Sequence, residues 1–448
     1  MLSPKQAADR AAQAVERARA AGADAADAVY AGDVASSVQV RMGALEDVSR
    51  SENAELGLRV FVGQRSASVA TSDLSDDALA ALVERAVAMA RLAPEDPWAG
   101  LAPADRLMKG TPPDLDLDDG GDPAPDTLKA QALAVEEAAR AVAGVSQSDG
   151  AGASASRSTV AIATSHGFAG GYRVSGYSLS ASMLAGEGGA MQRDWASHSA
   201  RHAAQLEAPE LVGTRAGERA VARLDPGRIE SGAMPVVFDP RVANGLVGHL
   251  VGAIGGAAIA RRTSFLLDAL GTRVFAPGVV IEDDPHRPRG LRSRPFDGEG
   301  LPVSPTRIVE DGMLETWLLD SASARQLGLE PTGHAARGVS GAPGVSTSNL
   351  AMLPGKLPPE TLIGEIERGV YVIELIGQGV NGVTGDYSRG AFGFLIEQGE
   401  ITRPVAEFTI AGNLKAMFLN LTPANDLEYR YGTNAPTVRI DGMTIAGG

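Results

Sequence analysis

The chain has 448 residues, 44% of them apolar, with 55 acidic against 40 basic side chains and a formal charge of −15. That length supports two or three domains and a sizeable core. The acidic balance, with no basic cluster interleaved with aromatics, argues against nucleic acid or an anionic membrane as partner.

The absence of cysteine removes disulfides, Cys-ligated zinc and thiol nucleophiles together, and it fits a cytoplasmic protein. No apolar run precedes the first charges, so a secretory signal is not expected. Ser3 and Gln6 instead form a capping box with Pro4 in the first turn, and Gly22 is placed to end that helix. Strand-like runs follow near Ala28–Ala31, Ser37–Met42, Leu45–Ser51 and Gly57–Thr71, with short gaps at Gly32 and Gly43 that favour antiparallel pairing. Ser75 then caps a helix whose Leu79, Leu82, Val83, Ala86, Val87 and Ala90 recur at helical spacing. Residues 1–109 therefore read as an α/β unit.

Residues 110–126 are rich in Pro, Gly and Asp and read as a surface linker or mobile loop. Six aspartates there invite a calcium reading, but the fixed Gly and terminal Glu of an EF-hand are missing. A middle α/β unit spans 127–225. It has a helix near 127–143, strands near Thr159–Ala163, Phe168–Leu184 and Met191–Ser197, and a helix near Pro209–Leu224. His166, His198 and His202 fall in this unit with no carboxylate at fixed spacing, which points to structural or solvated histidines.

Residues 226–448 read as a β-rich domain. Strand Val236–Phe238 leads into an Asp239-Pro240 helix start, and Ala243–Ala260 then runs without an Asp, Glu, Lys or Arg. That run is just long enough to span a membrane. Its five glycines and His249 favour a buried helix with a small-residue packing face instead. The basic stretch His286-Arg287-Pro288-Arg289-Gly290 precedes an Asp311-Gly312 hairpin turn, a short helix within Trp317–Leu327 and an irregular loop over Thr332–Gly355. Strands Val370–Ile376, Phe392–Ile396, Val405–Ile410 and Thr437–Ile445 finish the chain, and no solenoid repeat is visible. The fold class is α+β: a helix and antiparallel-sheet region, then a mainly antiparallel β-rich domain with a few helices.

The densest specification lies over Gly382–Leu414. There Gly-Asp-Tyr-Ser-Arg-Gly reads as a turn-rich polar loop at the mouth of a hairpin. Asp386, Tyr387, Ser388, Arg389 and Gly390 are candidate groove contacts. Their structural alternative is a turn in which Asp386 caps amides and pairs with Arg389. Asn413 reads as the cap of a short helix or as a backbone-holding group.

The phrases GDYSRGAFGFLIEQGEI and PVAEFTIAGNLKAMF resemble the C-terminal signature of the TldD/PmbA family, on its PmbA (TldE) branch, and a looser likeness covers nearly the whole chain. The resemblance implies a dimer around a chamber, with peptide held by strand addition. In the family's TldD branch an HExxxH helix and a late cysteine hold zinc, which needs an open coordination position and a carboxylate base. This chain offers His249 followed by Leu250, with no second histidine three to five residues on, and no cysteine. His249 is thus a degenerate metal-helix position. No metal or cofactor is expected in this chain, and zinc is expected in a TldD-like catalytic partner.

The implied role is a PmbA/TldE-like subunit of a peptidase complex. The alternatives are a self-sufficient metallopeptidase with an atypical site, for instance from His286, His334 and Asp386, or a peptide-binding scaffold homodimer. Neither a G-x-S-x-G elbow nor a P-loop occurs.

Overall fold

The computed structural model describes residues 1–447. Helix α1 (Pro4–Ala20) opens with the expected capping box, Ser3 Oγ accepting from the Gln6 amide at 3.3 Å and Gln6 Oε1 from the Ser3 amide at 2.9 Å. Strands β1 (Ala25–Arg41), β2 (Ala44–Val62) and β3 (Arg65–Thr71) follow, then α2 (Asp76–Leu92), capped by Ser75. The same order recurs in α3 (Pro125–Arg140), β4 (Val145–Thr164), β5 (Ala169–Ala185), β6 (Gln192–Ala200) and α4 (Pro209–Ala222).

These two α-β-β-β-α units share one sheet. Strand β1 pairs antiparallel with β4, from Asp27 opposite Thr164 to Val40 opposite Ala151, giving the order β3-β2-β1-β4-β5-β6. Strand alternation assigns the faces. Ala26, Ala28 and Tyr30 of β1 lie under α1 and α2 with Ala161 and Ala163 of β4, while Val38 and Val40 lie under α3 and α4 with Ala151, Ala153 and Ala155. The intervening Val29 and Ile162 point to the opposite face, where Phe296 and Leu301 of the C-terminal half cover them.

The two short strands expected at 28–31 and 37–42 are one continuous β1, carried through Gly32 because β2 and β4 pair with it on both sides. The run expected over 57–71 is split by a turn at Gly63-Gln64 into the end of β2 and β3. Residues 110–124 contain no helix or strand, yet they are docked on the protein. Leu115 and Leu117 are buried, Asp118 pairs with Arg157 at 2.7 Å and Asp119 accepts from the Tyr177 hydroxyl at 2.6 Å.

The C-terminal half begins with β7 (Gly232–Phe238), α5 (Pro240–Ile254) and α6 (Gly256–Ala260). The elements β8 (Ile281–Asp284), β9 (Thr306–Glu310), β10 (Met313–Leu314), α7 (Ser321–Leu327), β11 (Ala335–Ala336), β12 (Gly344–Val345) and β13 (Asn349–Met352) come next. Then α8 (Pro359–Gly364), β14 (Arg368–Ile376), β15 (Asp386–Glu397), β16 (Glu400–Asn413), α9 (Leu414–Leu419), β17 (Leu421–Pro423), β18 (Thr433–Asn434) and β19 (Val438–Ala446) complete the chain.

Strands β16, β15, β14, β7 and β19 pair in that order, and β19 returns to β16 with Thr409 opposite Ala446. Five strands therefore close into a barrel, which removes their edges without a covering partner. A second sheet, β10-β9-β8-β13-β18, stands beside it. The tight turns follow their residues: Asp311-Gly312 and Gln398-Gly399 both hold positive φ, as two-residue hairpins require. The fold is α+β with antiparallel-rich sheets, as the sequence implies. The loop expected over 332–355 carries β11, β12 and β13, and it buries His334, Ser348 and Asn349.

Candidate functional site

Helix α5 starts where Asp239 Oδ1 accepts from the Arg241 amide at 2.9 Å, with Pro240 in the first turn. Its buried face is Ala243, Leu246, Val247, Leu250, Ala253 and Ile254, which join the barrel core with Phe238, Val370 and Phe408. The other face carries Asn244, Gly245, Gly248, His249 and Gly252. Past the end of α5 the expected small-residue packing is present, Gly256 lying against Ser323 and Leu319, but along α5 itself it is absent: a Cβ at Gly245, Gly248 or Gly252 would meet no atom within 4 Å. Large aliphatics make the contact, and the glycines leave the outer face bare. The helix also stops earlier than the apolar run, because Gly255 turns to extended backbone with ψ 132.

Gly-Asp-Tyr-Ser-Arg-Gly is a loop only at Gly385, which ends a turn with positive φ. The rest is the first half of β15, with Asp386 opposite Asn413 and Gly390 opposite Thr409. Alternation splits the candidates. Asp386 and Ser388 face outward and are exposed, whereas Tyr387 is buried and sits edge-on to His249 with ring centroids 5.9 Å apart. Arg389, two residues on, shares the Tyr387 side, and its charge acts on both rings.

Burial, with Arg389 adding to it, pushes the His249 imidazole down toward its neutral form. Burial pushes the Tyr387 phenol up to about 12, and its hydroxyl, with Tyr387 only 2% exposed, has no hydrogen-bond partner among the described residues. An unpartnered buried hydroxyl costs about 1–3 kcal/mol.

Asp386 does not pair with Arg389. It accepts from the Thr384 hydroxyl at 2.7 Å and from Asn413 Nδ2 at 3.1 Å, which hold its carboxyl below the usual range. Arg389 Nε donates to the Ile376 carbonyl at 3.3 Å. Asn413 caps α9, its Oδ1 accepting from the Lys415 amide at 3.1 Å. The Ser388 amide donates to the Gly379 carbonyl at 2.7 Å, and Gly390 lies between Ile376 and Thr409. Both edges of β15 are thus occupied at residues 386–390, so no peptide can add as a strand there.

The helix geometry also resets the register of the metal motif. If His249 were the first residue of HExxxH, the base and second ligand would fall at Leu250 and Ile254, both in the core. With His249 last, they fall at Asn244 and Gly245 on the open face. The second register is the one that faces solvent, and it lacks the first histidine and the glutamate. Sequence reading from His249 forward missed it, although NGLVGH was there to be read backward.

No group of three or more His, Cys, Asp or Glu side chains able to hold a metal occurs among the described residues. His334 is buried elsewhere, with Nε2 3.4 Å from Asp283. The residues present do not fit a zinc site of the HExxxH type. Three of the remaining four histidines make structural contacts, His166 with the Ala102 carbonyl, His202 with Asp116 and His198 with the Glu207 amide, while the buried Nε2 of His286 has no hydrogen-bond partner among the described residues.

Three domain descriptions of one family match in succession: PmbA/TldA metallopeptidase domain 1 over 26–90, the central domain over 118–224 and the C-terminal domain over 231–447. The chain belongs to the PmbA/TldD metallopeptidase family. Within it, the similarity lies on the PmbA (TldE) side. The chain is 39% identical to the metalloprotease PmbA of Escherichia coli O157:H7, over 95% of this chain and 92% of that protein. It is 38% identical to the PmbA homologue of Haemophilus influenzae, over 97% and 94%.

Among solved structures, a protein described as a putative modulator of DNA gyrase from Bacteroides thetaiotaomicron superposes with TM-score 0.91 at 28% identity, covering all of both chains. TldE from Thermococcus kodakarensis shares the fold with TM-score 0.87 at 21% identity, over 97% and 99%. No helix of the described residues is long and apolar enough to cross a membrane.

Proposed function

We propose that this chain is the subunit without metal in a cytoplasmic two-chain peptidase, in which a TldD-like partner carries zinc and performs the hydrolysis. The observation that carries the reading is the open face of α5. The positions that an HExxxH helix would turn outward hold Asn244, Gly245 and His249, and the chain has no cysteine to complete the set. A tetrahedral zinc site with an open position cannot be assembled from these groups. What the site retains is a bare helix surface flanked by His249, Tyr387 and Arg389, suited to contact an extended peptide or the partner's catalytic face. Naming relatives metalloproteases is compatible with this division of labour, since a complex's activity attaches to both of its chains.

The test is co-purification with an HExxxH-bearing homologue from the same genome, followed by zinc analysis of each chain. Zinc should follow the partner, and Arg389→Ala should lower peptide hydrolysis by the complex while leaving the melting of the isolated chain unchanged. Stoichiometric zinc in this chain alone, lost on His249→Ala, overturns the reading in favour of a self-sufficient metallopeptidase.

A further inference from the structure

The basic stretch that follows β8 forms one wall of a cavity of about 200 Å³ between the central unit and the C-terminal half. Its lining includes His198 and Arg201 at the end of β6, Arg287 and Arg289 of the basic stretch, and Tyr429 and Tyr431 before β18. Two of the guanidinium groups have no counter-charge within ion-pair distance among the described residues. Arg201 spends its donors on three neutral carbonyls, those of Ser175 at 2.9 Å, Gly290 at 3.4 Å and Leu291. Arg287 lies 3.4 Å over the Tyr429 ring, and its N–H groups make no hydrogen bond or ion pair among the described residues.

The nearby carboxylates are already committed. Asp116 pairs with Arg289 and His202, Glu207 with Arg215 and Arg430, and Glu428 with Arg430. His198 accepts the Glu207 amide proton at Nδ1, which leaves Nε2 to carry the ring proton. Desolvation lowers the Arg201 pKa, with the Tyr172 phenol as its only opposing influence, as befits a charge held against neutral dipoles. In a chain of net charge −15, an uncompensated pair of guanidinium groups around a cavity is the reverse of the surrounding field.

From this geometry we infer a binding site for a compact oxyanion, a carboxylate or a phosphoryl group, received by the free N–H groups of Arg287 in the field of Arg201. The tyrosine hydroxyls and His198 Nε2 add neutral donors. The site is separate from the face of α5 and does not depend on the peptidase reading.

Titration calorimetry on the full chain tests it with three probes at fixed ionic strength: inorganic phosphate, a dipeptide with a free C-terminal carboxylate, and the same dipeptide amidated. Saturable one-to-one binding of phosphate or of the free dipeptide supports the site and tells the two sources apart. Arg287→Gln should weaken that binding at least about tenfold, the worth of a charge-assisted hydrogen bond. Its melting temperature should fall only slightly, because the guanidinium has no hydrogen bond or ion pair to lose and gives up only its contact with the Tyr429 ring. Equal binding of the amidated dipeptide, no saturation by any probe, or undiminished binding to Arg287→Gln overturns the inference.

Discussion

The seam between the six-stranded sheet and the C-terminal half buries charge, whereas the barrel core beneath α5 buries hydrocarbon. Around Asp27, Asp297 and Glu299 the buried carboxylates of the seam are answered. Asp27 accepts from Arg59 Nε at 2.8 Å and from Arg337 Nη2 at 3.1 Å, and Asp297 accepts the amides of Glu299 and Leu301 at 2.9 Å each. Glu299 accepts from the Ser321 amide at 2.9 Å and its hydroxyl at 2.6 Å. In the barrel core, by contrast, the phenol of Tyr387 is buried beside the α5 face without a partner. The difference separates polar groups that join two halves of a fold from one that has no hydrogen bond among the described residues.

The largest expected effect breaks the seam. Asp27→Ala leaves Arg59 and Arg337 without the carboxylate that both of them hydrogen-bond, and removing one member of a buried ion cluster costs about 3–5 kcal/mol. Denaturant unfolding should show that loss, and because Arg337 lies 310 residues away, it should loosen the contact between halves. A loss under about 1 kcal/mol would mean that the seam is held by its apolar contacts alone.

The next effect sharpens the seam through its pH dependence. Burial raises the Glu299 carboxyl from 4.5 to about 7, with Asp297 beside it reinforcing the shift. Between those values the unfolded chain releases a proton that the folded chain keeps, so folded stability falls as pH rises from 4.5 to 7 and then levels off. The loss amounts to roughly 3 kcal/mol at most. Glu299→Gln keeps an acceptor for Ser321 and should flatten that slope when melts are compared at pH 5 and pH 7.5. Parallel pH profiles for the two proteins would remove Glu299 from the account. Glu207, held down to about 2 against its own desolvation by hydrogen bonds from Arg215 and Arg430, loses its contribution only at far lower pH, outside this window.

What the sequence discloses and what it hides follow from how far each signal reaches. Ser3 with Gln6, Ser75, Asp239 and the Asp311-Gly312 turn are local, and each element they bound is present. The pairing of β1 with β4 joins residues more than a hundred positions apart, and neither strand's pattern names its neighbour. Barrel closure through Thr409 and Ala446 is hidden for the same reason. Gly385 and Gly390 suggested a loop, but bonds on both sides hold Asp386–Gly390 extended. The candidate residues were legible as a cluster in sequence; alternation divides them, with Tyr387 turned to His249 and Asp386 to Asn413. The glycines of α5 signalled close approach, and only the placement of Leu246 and Leu250 in the core shows that Gly245, Gly248 and Gly252 lie on the face turned away from it.

The smallest expected effect tests the core side of the comparison, at Tyr387. Tyr387→Phe removes a buried hydroxyl without changing the shape of the ring, so the aromatic contact with His249 and the barrel packing stay as they are. Deleting an unpaired polar group should leave the isolated chain as stable as before or about 1 kcal/mol more stable. The opposite holds if the hydroxyl meets a peptide or a partner subunit in the assembled peptidase. There the same substitution should weaken binding or turnover by about fivefold to tenfold, the worth of one net hydrogen bond. Stability and activity then move in opposite directions, a pattern that a purely structural tyrosine cannot produce. Thermal melts of the isolated chain beside peptide hydrolysis by the complex read both terms. If the variant melts lower and the complex works unchanged, the phenol has a partner within the chain after all, and the contrast between seam and barrel disappears.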